Sequence, residues 1–285
     1  MNRLSLNQIT TKSWSLPEAV RGCADRGVEW IGLWRDKVAE VGAAETARLL
    51  AEHGVRVSSL CRGGFFTGVT PEGRPVDGVA QTREAIDEAV TIGADVLVLV
   101  VGGVAEGDLR ASRQRVADAV GELAPYARER GVRLGLEPLH PMQCAERSVL
   151  STVEQALAIA EEHPADAVGV VVDEFHVWWD PRVEESIERA AGRIAGFHVC
   201  DQQVPITDGL MARSLPGAGP IDHRRLRACV EAAGYDGPIE VEVFDAELWR
   251  QPGGAVLDQV IEPTASTSPR TDPGVRSYGH AATSS

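Results

Sequence analysis

Along the 285-residue chain, short apolar, β-branched runs alternate with longer segments whose apolar residues recur every three or four positions. The first pattern is that of buried strands and the second that of helices packed on one face. Runs at 3–9, 28–33, 55–60, 96–101, 132–136, 167–172, 194–199 and 239–243 predict eight strands. Segments 16–26, 43–53, 79–92, 113–130, 153–162, 183–191 and 224–233 predict helices between them. Gly27, Gly54, Gly93, Gly131 and Gly234 each follow a helical pattern and precede a strand, where a left-handed C-cap is needed. Such alternation is the mark of parallel strands joined by crossover helices. Eight regular units favour a closed α/β fold, a (β/α)₈ TIM barrel forming one domain over residues 1–262. An open doubly wound sheet would usually show a Gly-rich phosphate loop after its first strand, and Asn7-Gln-Ile-Thr-Thr has none.

Two stretches stand outside the pattern. Residues 263–285, rich in Pro, Ser, Thr and Gly, predict a flexible tail. Residues 61–79, with five glycines and two prolines, predict a long loop able to cover one end of the barrel. With 44% hydrophobic and 25% charged residues the remainder can bury a large core.

A formal net charge of -14 argues against nucleic acid as a partner, since neutralising phosphates needs surplus Lys and Arg. Cys23, Cys61, Cys144, Cys200 and Cys229 are odd in number and contain no CxxC pair, so they read as reduced thiols rather than disulfides or a thiolate zinc site. The first residues lack the pattern of a signal peptide, and no run of about 18 apolar residues could span a bilayer. A cytoplasmic protein without membrane partners is expected.

Polar residues at strand ends carry the candidate chemistry. Barrel strands should be Val, Ile, Leu and small residues, yet the fifth strand runs into Glu137, the sixth into Asp173, the seventh contains His198 and the eighth contains Glu242. All four fall near C-terminal strand ends, where barrel enzymes build their sites. Consecutive strands about 4.8 Å apart would bring the side chains onto one arc, close enough to share an ion. Three carboxylates and an imidazole suit one divalent metal ion, Mn²⁺ first among Mg²⁺, Co²⁺ and Zn²⁺ because the set is rich in oxygen. Alternation puts Glu240 and Glu242 on the same face and cannot choose between them; Glu242 lies nearer the strand end. His140, just past the fifth strand, and Trp178, whose ring could stack on a sugar, are secondary substrate-binding candidates.

The stretches Leu136-Glu-Pro-Leu-His-Pro141, Val172-Asp-Glu-Phe-His-Val-Trp-Trp-Asp-Pro181, Gly196-Phe-His-Val-Cys-Asp201, Arg213-Ser-Leu-Pro-Gly-Ala-Gly-Pro-Ile-Asp222 and Gly234-Tyr-Asp-Gly-Pro-Ile-Glu-Val-Glu-Val243 carry a resemblance. Over roughly residues 3–262 the chain resembles the xylose isomerase-like barrel superfamily, in particular its sugar phosphate isomerase/epimerase group with ketose 3-epimerases and inosose dehydratase. The resemblance implies a metal bound by Glu137, Asp173, His198 and Glu242, with the two glutamates also moving protons. It further implies substrate contacts from His176 and Arg213. Where relatives often carry Gly-Asp-Gly after that arginine, this chain has Gly217-Ala218-Gly219.

Elementary chemistry points the same way. Removing a proton beside a carbonyl develops charge on oxygen, which a divalent cation stabilises, and a carboxylate then takes the proton. The expected activity is isomerisation or epimerisation of a small sugar-like keto-sugar or keto-polyol through a metal-stabilised enediolate, with Glu137 and Glu242 as acid and base. A lyase, dehydrating the substrate or cleaving a C-glycoside, is the alternative. An abasic-site endonuclease and a non-catalytic barrel subunit fit less well. Self-association or a partner subunit stays open, since no isolated apolar stretch marks an interface.

Overall fold

The computed structural model describes residues 3–265. Strands β1 (Leu4–Asn7), β2 (Trp30–Trp34), β3 (Arg56–Gly64), β4 (Val96–Val100), β5 (Arg133–Leu136), β6 (Val168–Asp173), β7 (Ile194–Val199) and β10 (Ile239–Val241) close into one parallel barrel, with β10 hydrogen-bonded back to β1. The predicted (β/α)₈ TIM barrel is therefore present. Two short strands, β8 (Asp201–Gln202) and β9 (Arg213–Ser214), form a separate antiparallel pair after β7.

Helices α1 (Leu16–Asp25), α3 (Ala43–His53), α4 (Gly78–Ile92), α5 (Leu109–Glu129), α6 (Val153–Ala160), α8 (Val183–Arg189) and α9 (His223–Ala232) answer the seven predicted patterns. Three more, α2 (Arg35–Val41), α7 (Glu174–Val177) and α10 (Gly253–Ala265), were not expected. The predicted stops work as anticipated at α3, where Gly54 adopts φ +67° and returns its N–H to the carbonyls of Leu50 and Ala51. Helix α10 continues three residues into the segment predicted as a tail, and residues 266–285 lie outside the described residues. The expected loop at 61–79 is shorter, because β3 runs on to Gly64 and α4 begins at Gly78, capped by Asp77 accepting from the Ala80 N–H. Among the described residues no helix is long and apolar enough to cross a membrane.

Strand alternation then sorts the side chains. Leu134, Leu136, Val168, Val170, Val172, Phe197, Val199, Val241 and Val243 join the main core between barrel and helices. Their neighbours Gly135, Glu137, Val171, Asp173, Gly196, His198, Glu240 and Glu242 fall on the inner face. Val171 fills the barrel interior with Cys61 and Val98. Gly135 and Gly196 leave it room, since a Cβ at either position would meet the Val171 methyls. The apolar interior thus ends in a floor, and polar groups occupy the layer above.

Candidate metal centre and active site

Glu137 directly follows β5, Asp173 ends β6, His198 is the fifth residue of β7, and Glu242 directly follows β10. Parallel pairing sets Asp173 against His198, while the Glu242 N–H reaches the Val199 carbonyl at 3.1 Å. Each of the four offers one ligand atom, and these atoms all lie within 4.8 Å of one another. The arc predicted from consecutive strand ends is thus closed into a cluster, with Glu137 and Glu242 at its two flanks.

All four residues are buried. His198 Nδ1 lies 3.2 Å from Glu137 Oε1 and 3.9 Å from Glu242 Oε2. Neither ring nitrogen has a good hydrogen bond, and Glu137 Oε1 is also buried without one. Buried polar atoms left without partners are costly, so convergent orphans need a common partner. Burial disfavours charge on His198, yet Glu240, Glu137 and Glu242 outweigh it and raise its pKa to about 10. The carboxylate field that would hold a proton on this imidazole is equally a field for a cation. The residues present therefore fit a divalent metal ion, with Glu137, Asp173, His198 and Glu242 to hold it.

Arg213 braces the cluster. Its guanidinium is buried, donates to Asp173 Oδ2 at 2.8 Å and Glu242 Oε2 at 3.1 Å, and lies over the rings of Phe175 and Phe244. The β8–β9 pair delivers it, since β9 begins at Arg213. Burial works against ionising Asp173, but Arg213, His176 and His198 win and hold its carboxyl below the usual range. Glu242 goes the other way. Burial, aided by Glu137 and Asp173, pushes it up to about 8 despite Arg213 and His198.

The predicted substrate residues are placed unequally. His176 is buried, its Nδ1 facing the His140 N–H at 3.0 Å and its Nε2 facing Arg213 at 3.0 Å. Burial, with Arg213 nearby, lowers its pKa to about 3, so the ring is neutral and accepts from the His140 N–H. His140 is half-buried and packs edge-on against Trp179 at 5.8 Å. Trp179 also donates to the His176 carbonyl at 2.7 Å, while Trp178 packs against the main core. Of the adjacent tryptophans, the one beside the histidines is Trp179.

Asn7 escaped sequence reasoning as a site residue, and Glu240 entered it only as the alternative to Glu242. Asn7 Nδ2 donates to Glu240 Oε1 at 2.6 Å and Glu242 Oε1 at 3.0 Å, and its Oδ1 accepts from Trp34 Nε1 at 2.8 Å. Glu240 sits one layer deeper, accepting from Ser58 and Ser59 and lying 3.8 Å from His198 Nε2. Both glutamates do face inward, as alternation required, but Glu242 belongs to the cluster and Glu240 underlies it. Asn7 ends β1 as the four ligands end their strands, so the same signal marked it.

A second buried network adjoins this one. His223 Nδ1 contacts Glu174 Oε2 at 2.5 Å and its Nε2 contacts Asp201 Oδ2 at 3.0 Å. Asp201 also accepts from the backbone of Gly217, Gly219 and Ile221. The Gly217-Ala218-Gly219 turn is thus tied down through main-chain groups.

A family model described as "Xylose isomerase-like TIM barrel" matches residues 20–262. The chain is 26% identical to inosose isomerase of Bacillus velezensis, over 87% of this chain and 90% of the relative. It is 26% identical to 3-dehydroshikimate dehydratase of Pseudomonas putida over 82% of this chain, which spans only 36% of that relative's length. Among solved structures, protein SMc04130 from Sinorhizobium meliloti 1021 is 40% identical with a TM-score of 0.87, over 92% of this chain and 97% of the other. The barrel, the strand-end cluster and a family match across most of its length agree: the chain belongs to the xylose isomerase-like TIM barrel family.

Proposed function

We propose that this chain is a divalent-metal-dependent enzyme that isomerises or epimerises a keto-sugar or keto-polyol, with Mn²⁺ as the first expected ion. The observation that carries the reading is the buried cluster of Glu137, Asp173, His198 and Glu242, with ligand atoms converging and partly orphaned. A bound cation supplies Lewis-acid stabilisation of charge developing on substrate oxygen. Glu137 and Glu242 flank the cluster from β5 and β10, so one can take the proton from carbon beside the carbonyl and the other return it on the opposite face. Arg213 holds Asp173 and Glu242 in place, and His176, His140 and Trp179 support that side of the site. Similarity to an inosose isomerase favours a polyhydroxylated ketone as substrate.

A lyase is the second reading, favoured by similarity to a 3-dehydroshikimate dehydratase. The same proton removal can expel a leaving group from the neighbouring carbon. One experiment separates the readings. Calorimetric titration with Mn²⁺, Mg²⁺, Co²⁺ and Zn²⁺ should give one site per chain, followed by a panel of keto-sugars and keto-polyols in D₂O. Isomerisation conserves mass apart from the deuterium taken up, whereas dehydration loses water. Glu137→Gln and Glu242→Gln should each lower turnover by about 10²-fold or more. Unchanged turnover in both variants, or no metal uptake, would sink the proposal.

A further inference from the structure

Building on that reading, we propose that the substrate carries an oxyanionic substituent, a carboxylate or a phosphate, gripped at the barrel mouth by Arg62, with the charge of Arg147 behind it. A cleft of about 740 Å³ opens there, lined by Lys12, Trp34, Arg62, Phe65, Phe244 and Trp249 among others. It adjoins the metal cluster through Trp34, which donates to Asn7, which in turn holds Glu242.

The cleft is cationic in a chain with 42 acidic residues against 28 basic ones. Most surface arginines have found a carboxylate, as Arg26 has Asp258 and Arg128 has Asp166. Within the cleft, Arg35 is matched by Glu88 at 2.6 Å and Arg74 by Glu72 at 3.5 Å. Arg62 is different. It forms no ion pair among the described residues and rests instead over Phe65 at 4.8 Å and Trp34 at 5.7 Å. Lys12 likewise rests on Trp249, at 4.1 Å. Aromatic faces fix the plane of a guanidinium while leaving its N–H edge free to bind.

Arg147 does not line the cleft, but it interacts electrostatically with Arg62. It is half-buried, its Nε is buried without a hydrogen bond, and it feels the charges of Arg62, Arg213 and Glu137. Burial, and after it the charge of Arg62, push its pKa down. Glu137, the carboxylate acting on it, is committed to the metal cluster. Three cluster carboxylates balance a divalent ion and Arg213, and the deeper Glu240 offsets only one more positive charge. Arg62, Arg147 and Lys12 together exceed that, since of the carboxylates lining the cleft Glu72 pairs with Arg74 and Asp36 offsets only one more charge. An anion reaching the cleft would meet the planar, forked donors that suit carboxylate or phosphate. A neutral sugar would leave the repulsion and the buried Nε uncompensated.

The test uses one ring polyol in three forms: inositol, the carboxylated quinate, and inositol monophosphate. Each is titrated calorimetrically into the Mn²⁺-loaded full chain. The charged probes should bind at least tenfold more tightly than inositol, and the tighter of the two identifies the substituent. Arg62→Gln should bring the charged probes towards parity with inositol. Arg147→Lys, which keeps charge and bulk but removes the fork, should erode the preference less. Equal affinity for all three probes in the wild type, or an intact preference in both variants, overturns the inference. Mn²⁺ uptake is titrated separately. A chain that binds no metal yet prefers anions retains this inference and loses the proposed function; one that binds metal without preferring anions loses only this inference.

Discussion

At the scale of single residues, the two buried histidines show how neighbours decide chemistry. Burial and the nearby Arg213 keep His176 neutral, whereas His198 faces three carboxylates and attracts positive charge. His223 is a third case, standing between Glu174 and Asp201, and although burial opposes it their hydrogen bonds and charge raise its pKa to about 9. A pKa raised above the ordinary 6.5 means stabilisation that is complete below pH 6.5 and lost as pH climbs through 9. His223→Gln should cost about 1–3 kcal/mol at pH 6.5, because it removes the partner of Glu174, whose carboxyl burial pushes up to about 7 and which then takes up a proton rather than stay buried as a charge. The gap between wild type and variant should shrink above pH 9. Denaturant melts at several pH values measure it, and a gap independent of pH would refute this account.

At the scale of elements, glycines with different duties predict different costs. Gly54 ends α3 with φ +67° and open space around it, so Gly54→Ala meets only backbone strain, about 1–2 kcal/mol. Gly32 lies in β2, where a Cβ would collide with the Glu240 carboxylate that Asn7, Ser58 and Ser59 hold in place. Gly32→Ala should therefore cost more stability than Gly54→Ala and also weaken Mn²⁺ binding, whereas Gly54→Ala leaves the ion's affinity alone. Equal metal affinity in the two variants would count against Glu240 as a support of the centre. The same contrast explains what the sequence made legible. Strands and helix stops are written locally, in β-branched runs and left-handed caps, and all eight strands could be located. Helix α10 opens on Pro252-Gly-Gly, residues that read as breakers, and α7 spans four residues, too short for a helical period to register. Ligands at strand ends were visible because carboxylates are out of place in a barrel wall. Arg62 and Arg147 look like ordinary surface arginines until the fold shows that neither forms an ion pair among the described residues.

At the scale of the molecule, the centre joins strands from β5 to β10, and so can form only when that half of the barrel is closed. An ion that binds the native state alone raises stability by mass action, about 2.7 kcal/mol at one hundred times its dissociation constant. Thermal melts should therefore rise with added Mn²⁺ in the wild type and lose that response in Glu137→Gln. A melt insensitive to the ion in both proteins would dissociate the cluster from metal binding. The molecule is also divided in its labour. The candidate ligands Glu137, Asp173, His198 and Glu242 come from the later strands, whereas Trp34, Arg62 and Phe65 of the cleft come from the earlier ones. Much of the cleft is therefore carried on a stretch of chain apart from the candidate metal ligands, although Phe244 and Trp249 close it from the later one. Mutations in the first stretch can redirect such a protein to a new molecule while its reactive apparatus stays intact, a ready route by which one ancestral barrel diversifies into many enzymes.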